Sequence, residues 1–175
     1  MSEPTPSRAH DASVLSEPFV RELVEARLVG VLSTYDLGGF IHSVPMWYAG
    51  SGAWVVFGTS SRSRKVRNLE RDPRATLVLH DSRPGYEVCG VSIAGTAEIV
   101  RDAGAKALVA LVHERYLAPD ALVDPAVQGF LASDDVALRF EPQGAMTWDE
   151  RGSDASQVLR SRSWGLPLVT TEPRA

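Results

Sequence analysis

Residues 57–73 read FGTSSRSRKVRNLERDP, in which a strand pattern ends in small hydroxyl residues and passes directly into a cation-rich helix. Free backbone N–H groups at the start of such a helix, together with its dipole, favour a bound anion. The hydroxyls of Thr59 and Ser63 can donate hydrogen bonds to it, and Arg64 and Lys65 can add charge-assisted ones. The pattern therefore predicts a phosphate site built without a P-loop.

A second interpretation of the same helix needs no ligand. At about 100° per residue, Arg64, Arg67 and Arg71 share one stripe opposite the apolar pair Val66 and Leu69. A charged stripe of this kind is most often a solvated helix face. The residues alone leave both interpretations open.

Strand patterns dominate the chain on both sides of this segment, separated by Gly-containing and Asp-containing turns. We expect strands over residues 28–35, 40–48, 53–59, 75–80, 86–100 and 136–141, a short last piece at 145–148, and helices over 17–27, 63–71 and 103–117. Six strands, mostly joined by hairpins and accompanied by few helices, predict a mainly β fold based on a six-stranded antiparallel barrel. A Rossmann domain is excluded because strands and helices do not alternate and no G-x-G-x-x-G is present.

The domain boundaries follow from the same patterns. Residues 1–15 are polar and predict a flexible N-terminal arm, and residues 16–150 hold the barrel domain. Residues 151–175 show no periodicity and predict a C-terminal tail that is disordered or packed on a partner subunit.

Composition excludes several classes of protein. The chain has 175 residues, a net charge of −4 and 44% hydrophobic residues, which suits one globular domain and disfavours nucleic-acid binding. It shows no apolar run of about 20 residues and no signal-peptide pattern, so we expect no membrane span and a cytoplasmic location. One cysteine, Cys89, and four scattered histidines predict no metal site.

Two further groups of polar residues receive structural interpretations. Adjacent strand residues point to opposite faces, so Asp134 and Asp135 are interpreted as a polar strand start and not as a catalytic pair. His113 falls on the helix over 103–117, where a surface or interface position is expected.

The ordered motifs resemble those of a known family. The string F-x-T-x-x-x-S-R-K at residues 57–65 resembles the FMN-phosphate segment of the pyridoxamine 5′-phosphate oxidase family. V-P-M-W-Y at 44–48, G-T-A-E at 95–98 and the Pro142 to Trp148 spacing are similar to further motifs of that superfamily, which includes actinobacterial deazaflavin-dependent reductases. The resemblance covers residues 16–150 and implies an FMN-binding split β-barrel.

The resemblance also implies roles for individual residues. The cofactor phosphate would be held by Thr59, Ser63, Arg64 and Lys65, and the ring system would be lined by Val44, Pro45, Met46 and Trp47. These families place two sites at a homodimer interface, so Trp148 would reach the cofactor of the partner subunit, unless it serves core packing.

The function implied is that of a flavin-type oxidoreductase that uses the deazaflavin coenzyme F-420 or FMN for hydride transfer to a small organic substrate. The alternative is a non-catalytic flavin-binding or haem-binding protein of the same fold. The cofactor carries the chemistry, so no catalytic side chain is assigned.

Departures from the oxidase pattern bear on the substrate and on the choice of cofactor. His42 stands near the position of a basic residue, and Glu150-Arg151-Gly152-Ser153 replaces an R-L-H-D-R substrate signature, so oxidation of pyridoxamine phosphate is not expected. Cations beyond the needs of a phosphate monoester favour the deazaflavin coenzyme with its anionic tail; they are Arg62, Arg67, Arg71 and Arg74.

Overall fold

One seven-stranded antiparallel sheet, curled around a single core, forms the body of the protein. The computed structural model describes residues 14–83, 87–131 and 134–154. Strand order in the sheet is β2-β1-β5-β6-β7-β4-β3, so β2 and β3 are its outer strands. The strands are β1 (Gly30–Tyr35), β2 (Ile41–Met46), β3 (Ala49–Ser51), β4 (Trp54–Ser60), β5 (Arg74–Arg83), β6 (Glu87–Val100) and β7 (Asp135–Asp149).

Helices cover the ends and one outer face of the sheet. After a 3₁₀ turn (Val14–Ser16), they are α1 (Pro18–Glu25), α2 (Arg64–Arg71), α3 (Ala103–Tyr116), α4 (Pro119–Leu122) and α5 (Pro125–Leu131). Helix α3 packs on β4 and β7, and α2 packs against β1 and β6. The predicted fold class, a mainly β split barrel, is confirmed.

The predicted number of six strands is wrong, because residues 49–51 pair with β4 as strand β3 where the sequence indicated only a turn. The turn itself is shorter and centres on Gly52, whose φ of +62° lies in the left-handed region that favours glycine. The piece at 145–148 is not separate either. It continues β7 past a bulge opposite Gly95.

Gly95 shows why the bulge needs glycine. A Cβ at this position would lie 2.1 Å from the carbonyl oxygen of Glu141, a distance that no side chain tolerates. The register shift at Ala94/Gly95 lets β7 bend while it stays paired with β6 along its length.

The ends of the domain differ from the sequence boundaries in detail. Helix α1 begins at Pro18 with Glu17 at the N-cap position, one residue later than the predicted start of this helix at residue 17. Val14, assigned to the arm, is buried in the core. Arg151, the first residue of the predicted tail, bridges Glu22 and Asp149. The remainder of the arm and residues 155–175 lie outside the described residues.

The barrel interior is apolar, and buried side chains fill it from every strand of the sheet except the two outer ones. The largest are Leu32, Phe57, Leu77, Leu79, Ile93, Leu138 and Phe140. A buried hydrogen bond then fixes α2 to β1, since the Asn68 side-chain amide donates to the Thr34 hydroxyl over 3.1 Å. Helix α2 is thereby held at one end of the barrel.

Candidate cofactor site

A cleft opens where the curled sheet fails to close on itself. Strand β3 pairs with β4 only over residues 54–56, so residues 58–60 of β4 pair on one side only, with β7, among the described residues. Opposite them lies the outer strand β2, and α3 covers the cleft from outside. The cleft measures about 480 Å³ and is lined by Pro45, Met46, Trp47, Gly58, Thr59, Ser60, Val112, His113 and Asp135.

The β2 side of the cleft offers a strand edge and flat apolar surface. Pro45 is exposed on this edge, where its missing N–H costs no ladder hydrogen bond. Met46 packs partly on the core. Val44 pairs with Leu32 and faces the barrel interior, so of the four predicted ring-lining residues it alone is outside the cleft lining.

Trp47 is the largest apolar group of the cleft. Its ring stacks on Tyr116 with centroids 5.0 Å apart and planes 3° from parallel. The Tyr116 hydroxyl donates to the carbonyl oxygen of Leu28, so α3 holds the indole in one orientation. A fixed aromatic face at the mouth of a cleft suits a planar ligand.

The predicted phosphate residues meet at the start of α2. The Lys65 ammonium donates to the Thr59 hydroxyl over 3.0 Å, and that hydroxyl lies 3.4 Å from the Ser63 hydroxyl. Ser63 occupies the N-cap position without capping the helix through its side chain, which leaves its hydroxyl available. The structure therefore brings together Thr59, Ser63 and Lys65.

Lys65 carries a charge that its surroundings only partly balance. Burial lowers the pKa of its ammonium, and the nearby Asp135 carboxylate offsets part of that effect. Among the described residues Lys65 has no carboxylate within 4 Å. A half-buried cation in this position favours an anionic partner.

Arg64 points elsewhere. Its guanidinium pairs with the Asp36 carboxylate, and its Nε lies 3.2 Å from that carboxylate. The hydrogen bond from Arg64 lowers the pKa of Asp36, which strengthens the pair. Arg64 therefore ties α2 to the β1–β2 hairpin, and its predicted phosphate role stays a prediction.

The other arginines of the segment are also engaged. Arg62 pairs with Asp134 at 3.3 Å, and Arg74 pairs with Asp72 at 2.6 Å. Arg67 and Arg71 donate to backbone carbonyls. Fewer spare cations are thus left for an anionic tail than the sequence suggested.

Trp148 lies away from this cleft within its own chain. It pairs with Gly90 on the outer face of the sheet, where its ring is 6.3 Å from that of His80. A Cβ at Gly90 would lie 2.3 Å from the Trp148 ring, so the small residue makes room for the indole. The predicted contact with a partner's cofactor stays a prediction.

Sequence reasoning missed His113 and Asp135, which line the cleft from α3 and from the start of β7. No local motif marks them, because the packing of α3 across β4 brings them there. Burial lowers the pKa of His113, and Asp135 partly offsets the effect. Asp134 accepts hydrogen bonds from Ser60 and Ser61, which fixes the start of β7 beside the cleft.

Metal and membrane features were also sought in the described part of the chain. Within residues 14–83, 87–131 and 134–154, no three His, Cys, Asp or Glu side chains group to hold a metal ion. Over the same residues, no helix has both the length and the apolar character of a membrane span.

Comparison with known proteins decides the family. The pyridoxamine 5′-phosphate oxidase profile matches residues 16–149, which is most of the chain. The protein belongs to this family. Among curated proteins none matches the chain.

Solved structures of the family share the fold. A conserved hypothetical protein from Mycobacterium tuberculosis is 29% identical with a TM-score of 0.66, and the alignment covers 84% of this chain and 90% of that one. An F420 reductase is 26% identical with a TM-score of 0.58, covering 72% and 94%. The haem storage protein HutZ from Vibrio cholerae, at 19% identity, 78% and 96% coverage and a TM-score of 0.60, shows the fold alone.

Proposed function

We propose that this protein is a flavin-type oxidoreductase that binds FMN or the deazaflavin coenzyme F-420 in the β2–β4 cleft. The observation that carries the proposal is Lys65, a half-buried ammonium that donates to the Thr59 hydroxyl; Thr59 in turn lines a cleft with one aromatic face. An anion bound near Lys65 and a planar ring against Trp47 would satisfy both features at once. The family match and the similarity to an F420 reductase support the same assignment.

The residues present fit such a cofactor. Its phosphate group would receive hydrogen bonds from Lys65, Ser63 and Thr59. Its ring would lie along the outer edge of β2, where Pro45 and Met46 provide apolar contact. When bound, a flavin or deazaflavin supplies hydride transfer, and the protein contributes position and the exclusion of water.

The protein is further proposed to act as a homodimer, because two adjacent rows of residues on one face of its sheet carry no charge. A row of residues in register crosses five strands of this face, and it consists of Pro45, Val31, Val78, Ser92 and Met146. The adjacent row consists of Ser43, Ser33, Thr76, Ala94 and Gly144. Residues of these rows are exposed or half-buried in the single chain, with Val31 at 37% and Met146 at 50% exposure.

A second copy packed on this face would cover the rows and approach the β2 edge of the cleft. Trp148 sits on the same face, one row beyond Met146. In the dimer it would reach the ring of the partner's cofactor, as the family resemblance implies. An uncharged surface of this extent is typical of an interface between subunits.

The choice between the two cofactors is open to a direct test. The similarity to an F420 reductase supports the deazaflavin coenzyme. Arg62 and Arg74 pair with carboxylates, whereas Arg67 and Arg71 donate to neutral backbone carbonyls and keep a charge that an anionic tail could use. The experiment is a titration of each cofactor into the purified protein, followed by tryptophan fluorescence. Tight binding with no turnover of any electron acceptor or donor would support the non-catalytic alternative, and a haem absorbance band would support a haem-binding one.

A further inference from the structure

A second cleft adjoins the cofactor cleft on the far side of α3. It measures about 710 Å³ and lies between α3, α4, α5 and the start of β7. Its lining consists of Lys106, Val109, Ala110, His113, Glu114, Leu122, Gln128, Leu131, Asp134 and Asp135. Four of these residues are apolar and six are polar or charged, and a cavity of this volume is large enough for a small molecule.

The two clefts meet at two side chains. His113 and Asp135 line both of them, and no other lining residue is shared. A molecule held in the second cleft, called here the α3–α5 cleft, would therefore contact the same His113 as a ring held in the β2–β4 cleft. Clefts that share two lining residues would hold their occupants close together, as a cofactor and its substrate require.

His113 is available for a ligand. Among the described residues its imidazole makes no hydrogen bond, whereas its backbone belongs to α3 and its carbonyl accepts from the N–H of Leu117 at the end of that helix. Because burial lowers its pKa, the imidazole is predominantly neutral at neutral pH, with one N–H donor and one acceptor nitrogen. It can donate a hydrogen bond to a carbonyl or similar oxygen without carrying a charge.

The remaining polar groups give the α3–α5 cleft an acidic character. One ammonium, Lys106, faces three carboxylates, those of Glu114, Asp134 and Asp135. Asp134 pairs with Arg62, and Asp135 also lies near the Lys65 ammonium of the cofactor site, but among the lining residues themselves carboxylates outnumber ammonium groups three to one. An anionic molecule would meet repulsion here, whereas a neutral or cationic one would not.

We propose that the α3–α5 cleft is the substrate cavity, that His113 donates a hydrogen bond to an acceptor oxygen of the substrate, and that the cleft selects neutral or cationic, partly apolar molecules over anions. Its role as a substrate cavity rests on the proposed oxidoreductase function. The apolar walls formed by Val109, Leu122 and Leu131 accommodate an aromatic or aliphatic body.

The test uses the full-length protein and three probes of one shape and different charge. They are acetophenone, benzylamine and benzoate, titrated into isotope-labelled protein and followed by NMR. Acetophenone and benzylamine are expected to shift the His113 ring signals and the backbone signals of α3 and α5. Benzoate is expected to leave them in place; benzoate binding as tight as that of acetophenone, or acetophenone shifts confined to other surfaces, would overturn the proposal.

Variants separate the individual contributions. His113→Phe keeps an aromatic ring and is expected to weaken acetophenone binding roughly threefold to tenfold, while His113→Gln, which keeps a donor, retains most of it. Asp135→Asn is expected to raise benzoate affinity. The matched control Glu70→Gln removes a carboxylate on α2, outside the cleft, and should change nothing. Unchanged acetophenone affinity in His113→Phe contradicts the hydrogen bond.

Failure of this inference is distinguishable from failure of the proposed function. The same protein is titrated with FMN and coenzyme F-420, and magnetisation transfer between bound cofactor and acetophenone is measured. A cofactor that binds without any transfer to acetophenone overturns the substrate cavity and leaves the function standing. If neither cofactor binds while acetophenone still maps to α3 and α5, the function is overturned and the selectivity of the cleft stands.

Discussion

The Lys65 ammonium lies 3.0 Å from the Thr59 hydroxyl, joining the first turn of α2 to the end of β4 at the wall of the cofactor cleft. Of the two adjacent cations that the sequence assigned to a phosphate, the structure leaves Lys65 without a carboxylate partner among the described residues and gives Arg64 one, Asp36. We therefore expect the two to differ in their effects on cofactor binding.

Lys65→Met should weaken binding of FMN and of coenzyme F-420 about tenfold to a hundredfold. The physical reason is the loss of a charge-assisted hydrogen bond worth about 1.5–3 kcal/mol. Fluorescence titration measures the effect. Lys106→Met is the matched control, because it removes the chain's other lysine, on α3. If Lys65→Met and the wild type bind the cofactors with equal affinity, the cations of α2 form a solvated helix face and not a phosphate site.

Lys65→Met should stabilise the cofactor-free protein, although the same substitution weakens cofactor binding. A lysine whose pKa is lower in the folded state penalises folding at pH values below that pKa, and the penalty fades as pH rises through its ordinary pKa. Lys65→Met is therefore expected to raise the free energy of unfolding at neutral pH and to lose this advantage in strongly alkaline solution. Denaturant unfolding at both pH values is the measurement, and destabilisation at neutral pH would contradict it.

The Asp36 carboxylate would compete with a cofactor phosphate for the Arg64 guanidinium. The substitution Asp36→Asn therefore tests whether Arg64 can bind the phosphate. If Arg64 contributes, Asp36→Asn should strengthen cofactor binding, and Arg64→Gln should weaken it less than Lys65→Met does. Titration of the three variants under one set of conditions makes the comparison. Weaker binding by Asp36→Asn would indicate that the pair serves only to hold α2 to the hairpin.

A charge placed in the middle of the uncharged face should break the dimer. Val31→Arg puts a guanidinium between Pro45 and Val78, where a second copy would bury it unpaired. Light scattering at micromolar concentration should report a dimer for the wild type and a monomer for this variant. Leu37→Arg, at the exposed hairpin tip, is the control and should remain dimeric. A monomeric wild type would contradict the proposed assembly.

The proposed contact of Trp148 with the partner's cofactor can be tested within the intact dimer. Trp148→Ala should weaken cofactor binding without changing the dimer, because the indole is proposed to contact the partner's cofactor and lies beyond the main rows of the face. Its neighbour Met146 supplies the comparison, since Met146→Ala removes an exposed side chain from the face itself. Unchanged cofactor affinity in Trp148→Ala would assign the indole to packing against Gly90 and His80.

The elements predictable from sequence are those whose signals are local. Alternating apolar residues marked the long strands, and the helix predicted over 103–117 matches α3, whose N-cap Asp102 accepts from the N–H of Gly104. Strand β3 was missed because its three residues, Ala49–Ser51, carry no alternation and pair only through the tight turn at Gly52.

The candidate site was likewise predictable only where its residues lie close together in the sequence. Thr59, Ser63 and Lys65 belong to one continuous motif and were found together. His113 and Asp135 join the site only because α3 crosses β4 and β7, a long-range packing relation that no local pattern encodes. The engagement of Arg64 by Asp36 likewise links residues 28 positions apart.

The assignment of the β2–β4 cleft to a flavin-type cofactor is tested by titrating FMN and coenzyme F-420 into the wild-type protein and into Lys65→Met. We expect saturable quenching of tryptophan fluorescence by at least one of the two cofactors, at one cofactor per chain, because Trp47 lines the cleft. We also expect weaker binding by the variant. No quenching by either cofactor, or equal quenching of wild type and Lys65→Met at all concentrations, would contradict the assignment of this cleft as a flavin-type cofactor site.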